Sequence, residues 1–112
     1  MTGFPAFFGD KTHTFALSNE LVGELENKCG PIAALSSRVF NRQFSQADLS
    51  DTIRLALIGG GQTPKRAAEL IVAYVDNRPF AETYPLAAKI LERLWVGNPP
   101  EAQSSEAANE PA

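Results

Sequence analysis

The chain reads as an α+β protein, mostly α: a small N-terminal β-hairpin packed on a bundle of four to five short helices. Three observations lead there. Residues 4–17 hold two runs rich in aromatic and β-branched side chains, divided by a glycine-containing break. From residue 18 to residue 96 apolar side chains recur three and four apart, the period of a helix with one buried face. Capping residues, glycines and prolines cut that stretch at intervals too short for long helices.

The hairpin is expected from strands Phe4–Phe8 and Thr12–Leu17, joined by Gly9-Asp10-Lys11. In the second run Thr12, Thr14 and Ala16 alternate with His13, Phe15 and Leu17, so one face can be apolar. A two-stranded ribbon is marginal alone in water and has to pack on the helices that follow. Ser18 or Asn19 is placed to cap a first helix carrying Leu21, Val22 and Leu25, which Gly30 and Pro31 end. Ile32, Leu35, Val39 and Phe40 mark a second helix ending near Asn41.

Ser45 followed by Asp48 resembles a capping box, opening a third helix with Leu49, Ile53, Ala56 and Leu57 on one face. Gly59-Gly60-Gly61 is expected to stop it as a flexible loop, because glycine in a helix costs about 1 kcal/mol per residue. Thr63-Pro64 is a start signal, a cap followed by proline at the first helical position, and the fourth helix carries Ala67, Leu70, Ile71, Tyr74 and Val75. Asp76-Asn77-Arg78-Pro79 breaks the pattern. A last helix begins between Ala81 and Pro85, carries Leu86, Ile90, Leu91, Leu94 and Trp95, and closes at Gly97. Residues 1–97 then form a single domain, with the hairpin at 4–17 and helices from about 18 to 96. Residues 98–112 hold no bulky apolar side chain and are expected to be a disordered acidic tail.

Charge divides unevenly along the chain. Glu101, Glu106 and Glu110 account for the whole formal charge of −3, which leaves residues 1–97 with ten acidic against ten basic side chains. A neutral, well-mixed body lacks the clustered cations on which nucleic-acid binding depends, so no nucleic-acid partner is expected. No apolar run approaches the ~20 residues that span a bilayer, so no membrane partner is expected either. Pro5 interrupts the apolar start and no basic residue precedes Lys11, unlike a secretory leader. The single cysteine, Cys29, cannot close an internal disulfide, which fits a reducing cytoplasm.

Candidate chemistry is sparse. A phosphate loop requires a glycine directly before Lys-Ser/Thr, whereas Pro64 precedes Lys65. His13 is the only histidine and is read as a solvent-facing or packing residue. Cys29 has no second histidine or base motif to activate it and is read as a small hydrophobe near a helix end. Glu24 with Glu26, and Asp48 with Asp51, read as solvated faces and cap-stabilising charges near helix N-termini. No catalytic, cofactor-binding or metal-ligating residue is therefore assigned; no cofactor and no small-molecule substrate are expected, and the chain is expected not to be an enzyme. What remains is aromatic area. Phe40, Phe44, Phe80, Tyr84 and Trp95 lie near predicted helix ends, and those left exposed would anchor a protein partner, since aromatic residues are enriched at interface hot spots.

The ordered set of signals also carries a resemblance. A hairpin ending at Leu17 is followed by Leu21…Glu24-Leu25-Glu26…Gly30-Pro31-Ile32 and by Phe44-Ser45-Gln46-Ala47-Asp48-Leu49. Next come Ile53…Ala56-Leu57-Ile58-Gly59-Gly60-Gly61 and a helix through Leu86-Ala87-Ala88-Lys89-Ile90-Leu91. Over most of residues 10–96 this order resembles the small tail-assembly proteins of gene transfer agents and related prophages, a family also described as tail tube or tail assembly chaperone proteins. The resemblance implies a non-enzymatic role in phage-tail assembly, as a chaperone for the tape-measure protein or as a minor tail component. It further implies tape-measure or other tail proteins as partners, or self-association, in the host cytoplasm or in the virion. The alternative reading is a small helical protein-binding adaptor unrelated to tails.

Overall fold

A computed structural model describes residues 3–97. The chain runs β1 (Phe4–Phe8), β2 (Lys11–Phe15), α1 (Asn19–Cys29), α2 (Ile32–Phe40), α3 (Gln46–Gly59), α4 (Pro64–Tyr74) and α5 (Phe80–Val96). This is the mostly α architecture with an N-terminal hairpin that the sequence predicts. The acidic segment 98–112 lies outside the described residues.

The hairpin is tighter than expected. Lys11 belongs to β2 and pairs with Phe8, so only Gly9 and Asp10 make the reversal, and Phe4 pairs with Phe15 at the open end. Gly9 takes φ +68°, at the first central position where two-residue hairpins of type II′ require glycine. One face presents Phe4, Phe8, His13 and Phe15 to the core. Phe15 stacks on Phe4 and meets Phe8 edge-on, both at centroid separations of 5.9 Å. The other face leaves Phe7 exposed. β2 ends at Phe15 rather than Leu17 because Ala16 turns to the helices, donating its N–H to the Ala56 carbonyl of α3 at 3.0 Å.

Local signals set most helix boundaries. Ser18 caps α1 by accepting from Leu21 N–H, and Gly30 follows the last turn at φ +88°. Thr63 caps α4 by accepting from Arg66 N–H, with Pro64 first in the helix. The capping box of α3 is complete: Ser45 Oγ accepts from Asp48 N–H at 3.2 Å, and Asp48 Oδ2 accepts from Ser45 N–H at 2.9 Å. α5 starts at Phe80, before the expected range, and passes through Pro85. That proline removes one i→i−4 hydrogen bond near the helix start, on an exposed side where water can serve the freed carbonyl.

α3 is the axis of the fold. It touches β2 and each of the other four helices. The sequence pattern assigns it an apolar face of Leu49, Ile53, Ala56 and Leu57; all four are buried, and Thr52 and Leu55 widen that face, while Ser50, Asp51, Arg54 and Ile58 form a partly exposed stripe. Contact with five elements leaves α3 only a narrow stripe toward solvent. Thr52 meets its own polar demand by donating Oγ1–H to the Asp48 carbonyl at 2.6 Å.

The triple glycine corrects a second expectation. Gly59 remains in α3, and Gly60 follows as the cap. A Cβ built on Gly59 would run into the Ala16 carbonyl, and one on Gly60 into the Thr14 carbonyl. These two glycines let the end of α3 lie against the β2 backbone, so they are packing residues rather than a flexible loop.

Candidate partner-binding surface

α2 and α5 pack on each other and on α3, and their outer sides form one surface. α2 is held from beneath by Arg38. Its Nε donates to Asp48 Oδ2 at 3.0 Å, and its Nη2 donates to Asp48 Oδ1 at 3.0 Å and to the Cys29 carbonyl at 2.8 Å. One guanidinium thus joins the end of α1, the last turn of α2 and the start of α3. Burial opposes ionisation of Asp48, but the hydrogen bonds from Arg38 and from Ser45 outweigh it and hold the carboxyl below its usual range.

Beyond Phe40 the chain leaves α2 through a two-bond cap. Gln43 N–H donates to the Arg38 carbonyl at 2.7 Å and Arg42 N–H to the Val39 carbonyl at 3.1 Å, the pattern of a Schellman motif. Its left-handed position, usually glycine, is occupied by Arg42 at φ +58°. The guanidinium lies over the Tyr84 ring, 5.5 Å from its centroid.

The five aromatic residues singled out from sequence fall on this surface. Phe44 stacks on Tyr84 with centroids 5.4 Å apart and meets Phe80 edge-on at 5.8 Å. With Arg42, Ala81 and Pro85 these three line a recess of about 380 Å³. Pro85 also borders a neighbouring groove of about 520 Å³, lined by Phe40, Ala88, Lys89 and Glu92. Trp95 lies further along α5, its indole N–H donating to the buried Ser36 of α2 at 2.8 Å. Phe40, Phe80 and Trp95 are 45%, 52% and 57% exposed, whereas Phe44 and Tyr84 are half-buried. The sequence reading missed Arg42, Pro85, Ala88 and Lys89. The α5 members recur every three or four residues from Ala81, a stripe visible in sequence only to a reader looking for an exposed one.

The two residues weighed for chemistry lie apart from this surface, on β2 and at the end of α1. His13 is buried, so it packs rather than faces solvent; Gln62 Nε2 lies 3.4 Å from its Nδ1, Phe8 meets the ring edge-on, and Nε2 lies 3.5 Å from Asp10. Cys29 is half-buried, and its thiol donates to Asp51 Oδ2 at 3.8 Å. Burial, together with the Asp51 and Asp48 carboxylates, pushes the thiol up to about 11. At pH 8 it should therefore hold roughly a hundredfold less thiolate than an unhindered cysteine. Native protein is expected to react correspondingly slowly with a disulfide reagent, and unfolding in urea should restore the ordinary rate. A native rate equal to that of a free thiol would contradict the contact with Asp51.

No described helix is long and apolar enough to cross a membrane. Comparison with curated proteins and with solved structures gave no match. A family model described as phage tail tube protein, GTA-gp10, matches residues 4–97, from the first residue of β1 to the residue after α5. The match takes in the hairpin, the glycine-packed end of α3 and the aromatic surface alike, and the chain belongs to that phage tail family.

Proposed function

We propose that the chain is a non-enzymatic binding component of phage-tail assembly, acting as a chaperone for the tape-measure protein or as a minor tail component, and working in the host cell before or during incorporation into a particle. Membership in a tail family supports the setting. The observation that carries a binding role is the gathering of Phe40, Phe44, Phe80, Tyr84 and Trp95 on one face, three of them about half exposed. Large aromatic side chains left in water beside a groove are characteristic of protein-interaction sites.

The test is co-expression of the tagged full chain with candidate tape-measure and tail proteins from the genome that encodes it. The chain should retain at least one of them and keep the tape-measure protein soluble. The double variant Phe40→Ala, Phe80→Ala should lose retention by tenfold or more while its circular dichroism spectrum is unchanged. Retention of no tail protein would refute the assignment. Undiminished retention by the folded double variant would place the contact elsewhere.

A further inference from the structure

Resting on that binding role, we propose that the α2–α5 groove receives a helix from a partner, amphipathic and with acidic flanks. Three features of the groove select this occupant. The first is its floor. The groove lies between α2 and α5 and the recess between α5 and the 41–45 connection, with no strand at either, so neither offers an open strand edge. A segment lying there has to satisfy its own backbone hydrogen bonds, as a helix does.

The second is spacing. The recess around Tyr84 and the groove around Ala88 share Pro85 as their common wall. The α5 residues that line the recess (Phe80, Ala81, Tyr84, Pro85) and those that line the groove (Pro85, Ala88, Lys89, Glu92) are centred about six residues apart, or roughly 9 Å at 1.5 Å per residue. Apolar side chains at positions i and i+7 of an incoming helix, with one at i+3 or i+4 crossing Pro85, match that interval.

The third is charge. Arg42 borders the recess and Lys89 the groove, and neither forms an ion pair among the described residues; both lie over aromatic rings, Tyr84 and Phe4. Arg42 moreover keeps a side chain at a left-handed backbone position that glycine would adopt without strain. That places a guanidinium over the recess, where it can meet a carboxylate. Glu92 is the one carboxylate among the residues lining the two hollows. Residues 98–112 of the chain bring carboxylates but no bulky apolar side chain, so they lack what would fill the hollows.

Trp95, the only tryptophan, sits beside the groove and reports on it. The experiment titrates the full chain with a labelled synthetic helical peptide bearing leucines at i, i+3 and i+7 and flanking glutamates, and with its twin bearing lysines instead. Anisotropy and Trp95 emission should show the glutamate peptide binding at least tenfold more tightly. Ala88→Arg should abolish binding. The double variant Arg42→Glu, Lys89→Glu, which changes only surface side chains, should reverse the preference between peptides. Equal affinity for both peptides, or an unchanged preference in the double variant, would overturn the proposal. So would a dimer in sedimentation that dissolves on Ala88→Arg, since a second copy would then cover the groove. The outcomes separate from those of the assembly role: Ala88→Arg protein that still retains tail proteins removes the groove and spares the role, whereas peptide binding without retention of any tail protein does the opposite.

Discussion

Alanine at Gly59 or Gly60 is expected to destabilise the protein by about 3 kcal/mol or more, lowering the melting temperature by roughly 10–20 °C. Helix propensity argues for the opposite sign at Gly59, which lies within α3, where alanine is favoured over glycine by about 1 kcal/mol. The collision decides. A Cβ on Gly59 falls on the carbonyl of Ala16 and one on Gly60 on the carbonyl of Thr14, and these are backbone atoms of the chain that leads from β2 into α1. A flexible side chain could swing aside; a backbone already fixed by hairpin pairing and by the bond from Ala16 N–H to Ala56 has no such freedom. Relief requires the hairpin to lift off α3, taking the buried Phe15 with it. The internal control is Gly23, which is exposed within α1 and has open space where a Cβ would go. Gly23→Ala should stabilise by about 0.5–1 kcal/mol. Thermal melts of the three variants check this. Similar small shifts in all of them would mean that the end of α3 does not rest on β2.

That contrast shows what a single sequence exposes and what it hides. Ser45 with Asp48, and Thr63 with Pro64, were legible because a cap acts within one helical turn and its partners sit within a few residues. Gly59 and Gly60 carried a local signal too, and the helix stop it announces is there, but it says nothing of the close backbone approach they permit. Their role is set by a strand some forty residues earlier, and no local rule sees that far. The buried face of α3 is broader than the pattern of Leu49, Ile53, Ala56 and Leu57 for the same reason, since Thr52 and Leu55 also meet elements that only the tertiary arrangement supplies. The surface divides likewise. Its aromatic residues could be named as candidates from residue type alone. The groove could not, because it arises only where α2 meets α5, with α3 and α4 between them in sequence. Arg42 was invisible because nothing in its neighbours announces a left-handed backbone, and Pro85 because proline was expected to open a helix rather than lie within one.

Removing the Asp48 carboxylate is the other substitution with a large expected cost, and it should carry a pH signature. Asp48 completes the capping box of α3 and accepts two hydrogen bonds from Arg38, with its side chain 6% exposed. Asp48→Ala leaves Arg38 without its carboxylate and Ser45 N–H without an acceptor, at a cost of about 3 kcal/mol. The full 3–5 kcal/mol range of a buried pair would extend higher, but the Arg38 side chain is 35% exposed, and water screens part of the loss. Asp48→Asn keeps the shape and one carbonyl acceptor, so it should cost less, about 1–2 kcal/mol. Because the folded carboxyl titrates below its unfolded value, the stability it contributes is complete above the ordinary carboxylate pKa near 4, and is lost as the pH falls through the depressed value. Arg38 stays charged throughout, its own pKa raised by the hydrogen bonds to Asp48. Urea unfolding from pH 7 to pH 3 should therefore show wild type losing more stability than Asp48→Asn, the two curves converging at the acid end. A gap between them that stays constant with pH would mean that the carboxylate charge contributes nothing and that Asp48 acts only as a neutral cap. The placement of α2, and with it one wall of the groove, would then depend on the hydrogen bond from Arg38 to the Cys29 carbonyl and on apolar packing under Leu35 and Val39.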